Sequence, residues 1–355
     1  MDPFTHLLFG ATLGRAGLNR KTAFATATLA LAAEAPDLDA LYYFAGPVVG
    51  FQHHRGWTHS LIAAPVMAAL ALGAVWLWNR LFRRKPPLTG EPVSRARARL
   101  PARWGLLYLY ACLGAVSHVL LDFTNSYGVK PIAPMSYHWI AWDIVSIIEP
   151  FMLAALVLGL VMPSLFALVG EEIGARRQRF RGRGGAVFAL LAIVLMWGFR
   201  DYQHRRAVAA LESFLYDGAA PIRVAALPYV WNPFSWYGVV ETENFFRTMQ
   251  VDTLKGEVDP GAQAHTYFKP EETPVTLAAK KSFLGQVYLS WSRFPILEVE
   301  RREASAPAYI VRFYDLRFQY PGRRRRVLTS SVHLDQNLKV VEMYFGRRSQ
   351  RPPVD

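Results

Sequence analysis

Four long apolar runs, Leu61–Phe82, Trp104–Phe123, Ile148–Val169 and Gly184–Phe199, constrain this chain more than any other feature. Each comes close to the roughly 20 residues that a helix needs to cross the hydrocarbon core of a bilayer. A soluble globule has no use for several such runs, and basic proteins that bind nucleic acid rarely carry them. The hydrophobic fraction of 52% and the formal net charge of +13 are therefore read together as marks of a membrane protein, with no nucleic-acid partner. Two shorter apolar segments come first, Phe4–Gly14 and Thr22–Ala35, broken at Gly17–Lys21. They are predicted to form a re-entrant or tilted helical hairpin rather than two spans.

Loop charges predict the orientation, because Lys and Arg in short loops stay in the cytoplasm. Residues 83–103 carry Arg83, Arg84, Lys85, Arg95, Arg97, Arg99 and Arg103 against Glu91, and 170–183 carry five arginines against Glu171 and Glu172. By contrast, 36–60 has only Arg55 and 124–147 only Lys130. The first two loops are read as cytoplasmic and the second two as external, so the hairpin dips in from the outer face and the last span delivers residues 200–355 to the outside. The start MDPFTHLLFG has no basic n-region or small-residue cleavage site, so it is expected to stay on the mature protein. A bacterial or archaeal inner membrane, crossed several times, is the expected location. Cys112 is the one cysteine, which removes any intrachain disulfide or cysteine-based zinc knuckle.

The expected fold is an α-helical polytopic membrane domain (1–200) followed by a small mainly-β (α+β) extramembrane domain (201–355). In the second part, Ala308–Tyr320 alternates like a strand, and RVLTSSVHLDQNLKVVEMYF reads as a hairpin turning around Asp335–Asn337. The last span is expected to continue as a helix through Asp201–Tyr216. The Arg323–Arg326 run reads as a solvated turn, with a headgroup contact as the alternative.

The ionisable residues of the first half fall into four short segments: His6 in DPFTH, Asp37 and Asp39 in APDLD, His53, His54 and His59 in HHRGWTHS, and His118 and Asp122 in SHVLLD. Under the orientation above all four meet at one leaflet, although the loop charges took no account of them. Neutral imidazole and carboxylate are the ligands that zinc, manganese and iron accept. His118 and Asp122 are four apart and share one helix face. A charged Asp122 within an apolar helix demands a cation or donor beside it. Each element has a plainer reading: His6 as a packing residue, PDLD as a helix stop, His53 as a surface residue ranked below His54 and His59, and SHVLLD as a metal-free hydrogen-bonded pair. Arg55 would present a guanidinium to an anionic group such as phosphate, or else snorkel to headgroups. Asn125, Ser126 and Tyr127 lie in a turn-rich loop expected over the site. Asp143 and Glu149 are possible extra ligands, with helix capping the plainer role.

The series MDPFTH, APDLD, HHRGWTHS and SHVLLDFTNSYG, in this order, resembles the family of inner-membrane-associated metal-dependent hydrolases typified by YdjM. The likeness covers roughly residues 1–150, with HRGxTHS and SHxxxD its distinctive parts. That family in turn is distantly similar to zinc-dependent phospholipase C and P1-type nuclease proteins, whose clustered His and Asp bind zinc. The resemblance implies metal ligation by His6, Asp37 or Asp39, His54, His59, His118 and Asp122; with Asp37 taken as the ligand, Asp39 is left as the expected base, and Arg55 is expected to stabilise charge on the substrate oxygens. It also implies a divalent metal cofactor, zinc first and manganese or iron next, and a lipid or anionic envelope substrate. The expected activity is hydrolysis of a phosphoester or ester bond. The rival expectation is a non-catalytic envelope or stress scaffold with a structural metal site, and metal transport comes last. No GxSxG elbow or Walker loop is present, so serine hydrolase and ATPase chemistry lack support.

Overall fold

The computed structural model describes residues 1–82, 100–172, 182–259, 264–302, 307–321 and 326–352. Most of the basic residues that set the expected orientation, and Arg323–Arg325, lie outside the described residues. The chain divides into two compact units.

The first unit contains residues 1–38, 55–142 and 146–199. Its helices are α1 (Pro3–Arg15), α2 (Ala25–Glu34), α4 (Ala64–Phe82), α5 (Trp104–Phe123), α6 (Pro150–Glu172) and the part of α7 (Arg183–Glu212) up to Phe199. Asp2 starts α1: its carboxylate accepts from the Thr5 amide at 3.1 Å and the Thr5 hydroxyl at 2.6 Å, and Pro3 fills the first turn where no amide donor is missed. Gly17, at φ +141°, ends the helix, and a short 3-10 turn over Leu18–Arg20 leads back into α2. At 13 and 10 residues the two helices form the expected hairpin and are too short to cross a bilayer.

Small residues let these helices meet closely. A Cβ on Gly10 would stand 2.5 Å from the Leu29 carbonyl oxygen, and one on Gly114 would stand 2.8 Å from the same atom, so α2 is gripped between α1 and α5. Ala32, Ala64, Ala68, Ala71, Ala111 and Ala115 continue the contact toward α4. Such packing suits helices in lipid, where close van der Waals approach replaces the hydrophobic effect. The outward faces stay apolar, with Leu70, Trp78, Leu109, Leu113, Phe188 and Leu195 all exposed. Among the described residues three helices, Ala64–Phe82, Trp104–Phe123 and Arg183–Glu212, are long and apolar enough to cross a membrane, and the apolar part of α6 covers Pro150–Pro163. These match the expected runs to within a few residues at most ends, and α7 continues past Phe199 as the sequence suggested.

The second unit comprises residues 39–54, 143–145 and 200–355. Helix α3 (Pro47–His53) belongs here: Phe51 stacks on Phe345 at 4.3 Å between ring centroids. One antiparallel sheet orders β1 (Arg223–Pro228), β2 (Ser235–Glu241), β3 (Phe245–Asp252) and β4 (Glu257–Asp259), and β5 (His265–Phe268) pairs with β3. Two helices follow, α8 (Pro274–Lys281) and α9 (Phe283–Trp291), and then β6 (Pro295–Arg301), β7 (Tyr309–Asp315), β8 (Ser330–Leu334), β9 (Val340–Phe345) and β10 (Arg348–Gln350). These strands form a second antiparallel sheet in the order β10-β9-β8-β7-β6. The hairpin expected at Asp335–Asn337 joins β8 and β9, with the Asp335 carboxylate accepting from the Lys339 amide at 2.8 Å. Strand β2 is buried on both faces: Trp236 packs with Leu211 and Met249, whereas Tyr237 packs with Phe294, Tyr314 and Leu316. The fold class is therefore a helical membrane region followed by a domain of two antiparallel sheets.

Candidate metal centre

Four elements of the first unit bring imidazoles and carboxylates together. α1 supplies His6 from its first turn, and α5 supplies His118 and Asp122 from successive turns of one face. The 3-10 helix Ala35–Ala45 supplies Asp37, and a 3-10 turn over Trp57–His59 supplies His59. Arg55 precedes that turn at φ +52°, a left-handed conformation unusual for a side chain of this size.

The donors face one another. Asp37 Oδ1 lies 3.2 Å from His59 Nε2 and 3.6 Å from His118 Nε2, and Asp122 Oδ2 lies 3.5 Å from each of the same two nitrogens. Donors about 2.0–2.2 Å from a tetrahedral zinc stand roughly 3.3–3.6 Å from one another, and these four separations are close to that spacing. Asp122 also faces the other way: its Oδ1 is 3.4 Å from His6 Nε2 and accepts from the Met1 amino group, which is itself 2.9 Å from His6 Nε2. Two overlapping groups result, His6 with His118 and Asp122, and Asp37 with His59 and His118.

The surroundings orient these donors. His118 Nδ1–H donates to the Ala33 carbonyl at 2.6 Å, which leaves the lone pair on Nε2, aimed into the cluster. His59 Nδ1 lies 3.1 Å from the Thr58 hydroxyl, which fixes the orientation of the ring. Among the described residues, His118 Nε2 and Asp122 Oδ2 are buried without a hydrogen-bond partner. An orphaned buried carboxylate oxygen is costly, and a cation removes the cost. Burial pushes the Asp37 carboxyl up, but the His59 hydrogen bond and the nearby His118 outweigh it and hold the group well below the usual carboxylate range. It is thus an anionic ligand ready for use.

Arg55 is buried and held through both terminal nitrogens. Its Nη2 reaches Asp122 Oδ1 at 2.8 Å, and Nη1 donates to Asn125 Oδ1 and the Gly128 carbonyl, each at 3.1 Å. The guanidinium also covers the Tyr127 ring at 4.6 Å. A lysine keeps the charge but cannot make this fork. Arg55→Lys is expected to weaken metal binding about 10- to 100-fold, as loss of a partner that orients a ligand usually does. Chelator competition on protein of unchanged melting temperature checks this, and wild-type affinity would show that Asp122 needs no such clamp.

The remaining candidates are placed as follows. Asp39 is buried and sits 3.4 Å from His54 Nδ1, both in the second unit. His53 stacks on Tyr42 at 4.2 Å. Asp143, also of the second unit, pairs with both carboxylate oxygens toward Arg293 at 2.8 and 2.7 Å. Glu149 is buried at the start of α6, where its carboxylate accepts from the Ser146 amide at 3.5 Å. Ser126 is buried in the turn that follows α5. Sequence reasoning did not anticipate the Met1 amine, the Ala33 carbonyl or Thr58. Of these only Thr58, directly before His59, left a readable signal.

Fold and cluster define a membrane protein with a buried His/Asp group that could hold a metal ion. The chain belongs to the YdjM inner membrane protein family, whose pattern matches residues 1–207. Residues 274–351, which hold α8, α9 and the second sheet, match the YfhP C-terminal alpha/beta plait domain. The Uncharacterized protein YfhP of Bacillus subtilis (strain 168) is 25% identical, over 98% of this chain and 95% of its own length. No solved structure matches the chain.

Proposed function

We propose that the protein is a membrane-bound metal-dependent hydrolase that cleaves a phosphoester or ester bond of a lipid or envelope substrate. The observation that supports this most is the convergence of His59, His118, Asp37 and Asp122 with two orphaned ligand atoms at its centre. His59, His118, Asp37 and Asp122 would hold a divalent cation, zinc first and manganese or iron next, which would lower the pKa of a water toward neutrality and neutralise charge on the substrate oxygens. The chain's own residues fix that chemistry in place: Ala33 sets the His118 tautomer, and Arg55 holds the Asp122 carboxylate at the angle the cluster needs. The cluster lies at the outer leaflet, as the loop charges predict.

One observation keeps a second reading open. The described cluster offers five donors, His6, Asp37, His59, His118 and Asp122, whereas catalytic zinc sites commonly use three protein ligands and leave a position for water. A closed, structural site in an envelope scaffold would use the surplus. Turnover separates the two: metal-loaded protein in nanodiscs is offered lipid phosphoesters and esters, and hydrolysis is expected that stops in His59→Ala. Stoichiometric metal with no turnover of any substrate of either class would favour the scaffold.

A further inference from the structure

The end of the α1–α2 hairpin remote from the cluster carries a feature that the proposed chemistry does not use. A cleft of about 500 Å³ opens where α1 turns into the 3-10 segment, walled by Leu13, Ala16 and Leu18 and rimmed by Arg20, Lys21 and Arg183. Among the described residues, no carboxylate lines it. Arg183 is fixed against the hairpin by donating from Nε to the Ala16 carbonyl at 3.2 Å, and Arg15 ties the same turn to α6 by donating to the Leu160 carbonyl at 3.0 Å. Gly17 and Gly182, both at positive φ, shape the two backbones that meet there. Nine residues of α1 separate His6 from Arg15, roughly 13 Å at 1.5 Å per residue, so the cleft is a separate place from the donor cluster.

We propose that this cleft holds the headgroup of one anionic phospholipid. Three cations around an apolar hollow match a molecule with a phosphodiester at one end and hydrocarbon directly behind it. Free phosphate would find the leucine walls a poor exchange for water, whereas an acyl chain buries them. Basic pockets between membrane helices on the cytoplasmic side are the usual seats of anionic lipid, and each Lys or Arg adds favourably to the binding. Loop charges predict the cytoplasmic leaflet for this end. The plainer explanation, that these cations serve only to set topology, accounts for their number and not for a walled cleft with Arg183 fixed beside it.

Native mass spectrometry of the full-length protein, released from micelles containing phosphatidylglycerol and phosphatidylcholine, tests the assignment. One phosphatidylglycerol is expected to stay bound, at least tenfold in preference to phosphatidylcholine, and glycerophosphate is expected not to displace it. The triple variant Arg20→Gln, Lys21→Gln, Arg183→Gln should lose that preference. Leu18→Asn, which leaves every charge in place and cannot disturb insertion through charge, should also weaken retention. Equal retention by wild type and both variants overturns the lipid site, and so does displacement by glycerophosphate as potent as by lipid.

Discussion

Protein purified as Asp122→Asn or His118→Ala is expected to lose altogether the transition metal that the wild type is proposed to hold, whereas His59→Ala is expected to lose part of it and His6→Ala to lose metal only if a second ion is bound. His118 belongs to both donor groups, and Asp122 turns one oxygen toward His6 and the other toward His59 and His118. Removing either therefore damages every arrangement the cluster can offer. Binding of about 10–16 kcal/mol spread over four ligands assigns roughly 3 kcal/mol to each, or about a hundredfold in affinity per ligand lost. Asparagine keeps an oxygen for Arg55 where alanine keeps none, but neither keeps the charge, so a loss of about 3–5 kcal/mol from the buried pair accompanies either change and has to be separated from loss of metal. Metal counted by mass spectrometry, beside melting temperatures in detergent, decides the matter. His6→Ala with half the wild-type metal means two ions, and His6→Ala with all of it means one ion held by the other four. Full metal in His118→Ala would place the ion elsewhere.

How much of this was legible in the sequence differs from element to element. The spans were, because a helix in lipid must be apolar along its whole length, and α4, α5 and α7 lie where the runs lie. His118 and Asp122 were, because spacing of four places them on one helical face. PDLD could not be resolved by period. It folds as a 3-10 helix, in which residues two apart point about 240° apart, so Asp37 turns to His59 and His118 while Asp39 turns to His54. His54 and His59 separate for a similar reason, since the chain bends at Arg55 and Gly56 before the short turn that carries His59. The role of Arg55 was hidden because its partners Asn125 and Gly128 are some seventy residues away. In the second unit β2 is buried on both faces and shows no alternation to read. Helices α8 and α9 have only 8 and 9 residues, yet Thr273-Pro274-x-Thr276 is a readable start: the Thr273 side chain accepts from the Thr276 amide while the Thr276 hydroxyl receives the Thr273 amide.

Asp315→Asn is expected to cost the second unit about 3–5 kcal/mol, the usual result of removing one partner from a buried ion pair. The carboxylate accepts from the Ser292 hydroxyl at 2.6 Å, the Arg293 amide at 2.7 Å and both the amide and Nε of Arg317, at 2.9 and 3.0 Å. Arg317 in turn donates to the Trp291 carbonyl at 3.1 Å, so one buried pair fastens the end of α9 to the end of β7. An asparagine offers one oxygen for these donors and points an amide at the guanidinium, which is left charged and buried. The same geometry sets a pH dependence. Burial alone would raise the Asp315 carboxyl, but Arg317 and the hydrogen bonds from Arg317 and Ser292 outweigh it and hold the group below its ordinary value. A depressed carboxyl adds stability that is fully present above its unfolded value, near 4, and is lost as pH falls from there through the lower folded value. Wild-type protection of β7 against hydrogen exchange should therefore decline below about pH 4, whereas that of Asp315→Asn should be low at neutral pH and lose less on acidification. Asp315→Leu combined with Arg317→Met removes both charges together and should recover much of the loss. If β7 exchanges alike in wild type and Asp315→Asn at neutral pH, the pair does not fasten α9 to the sheet.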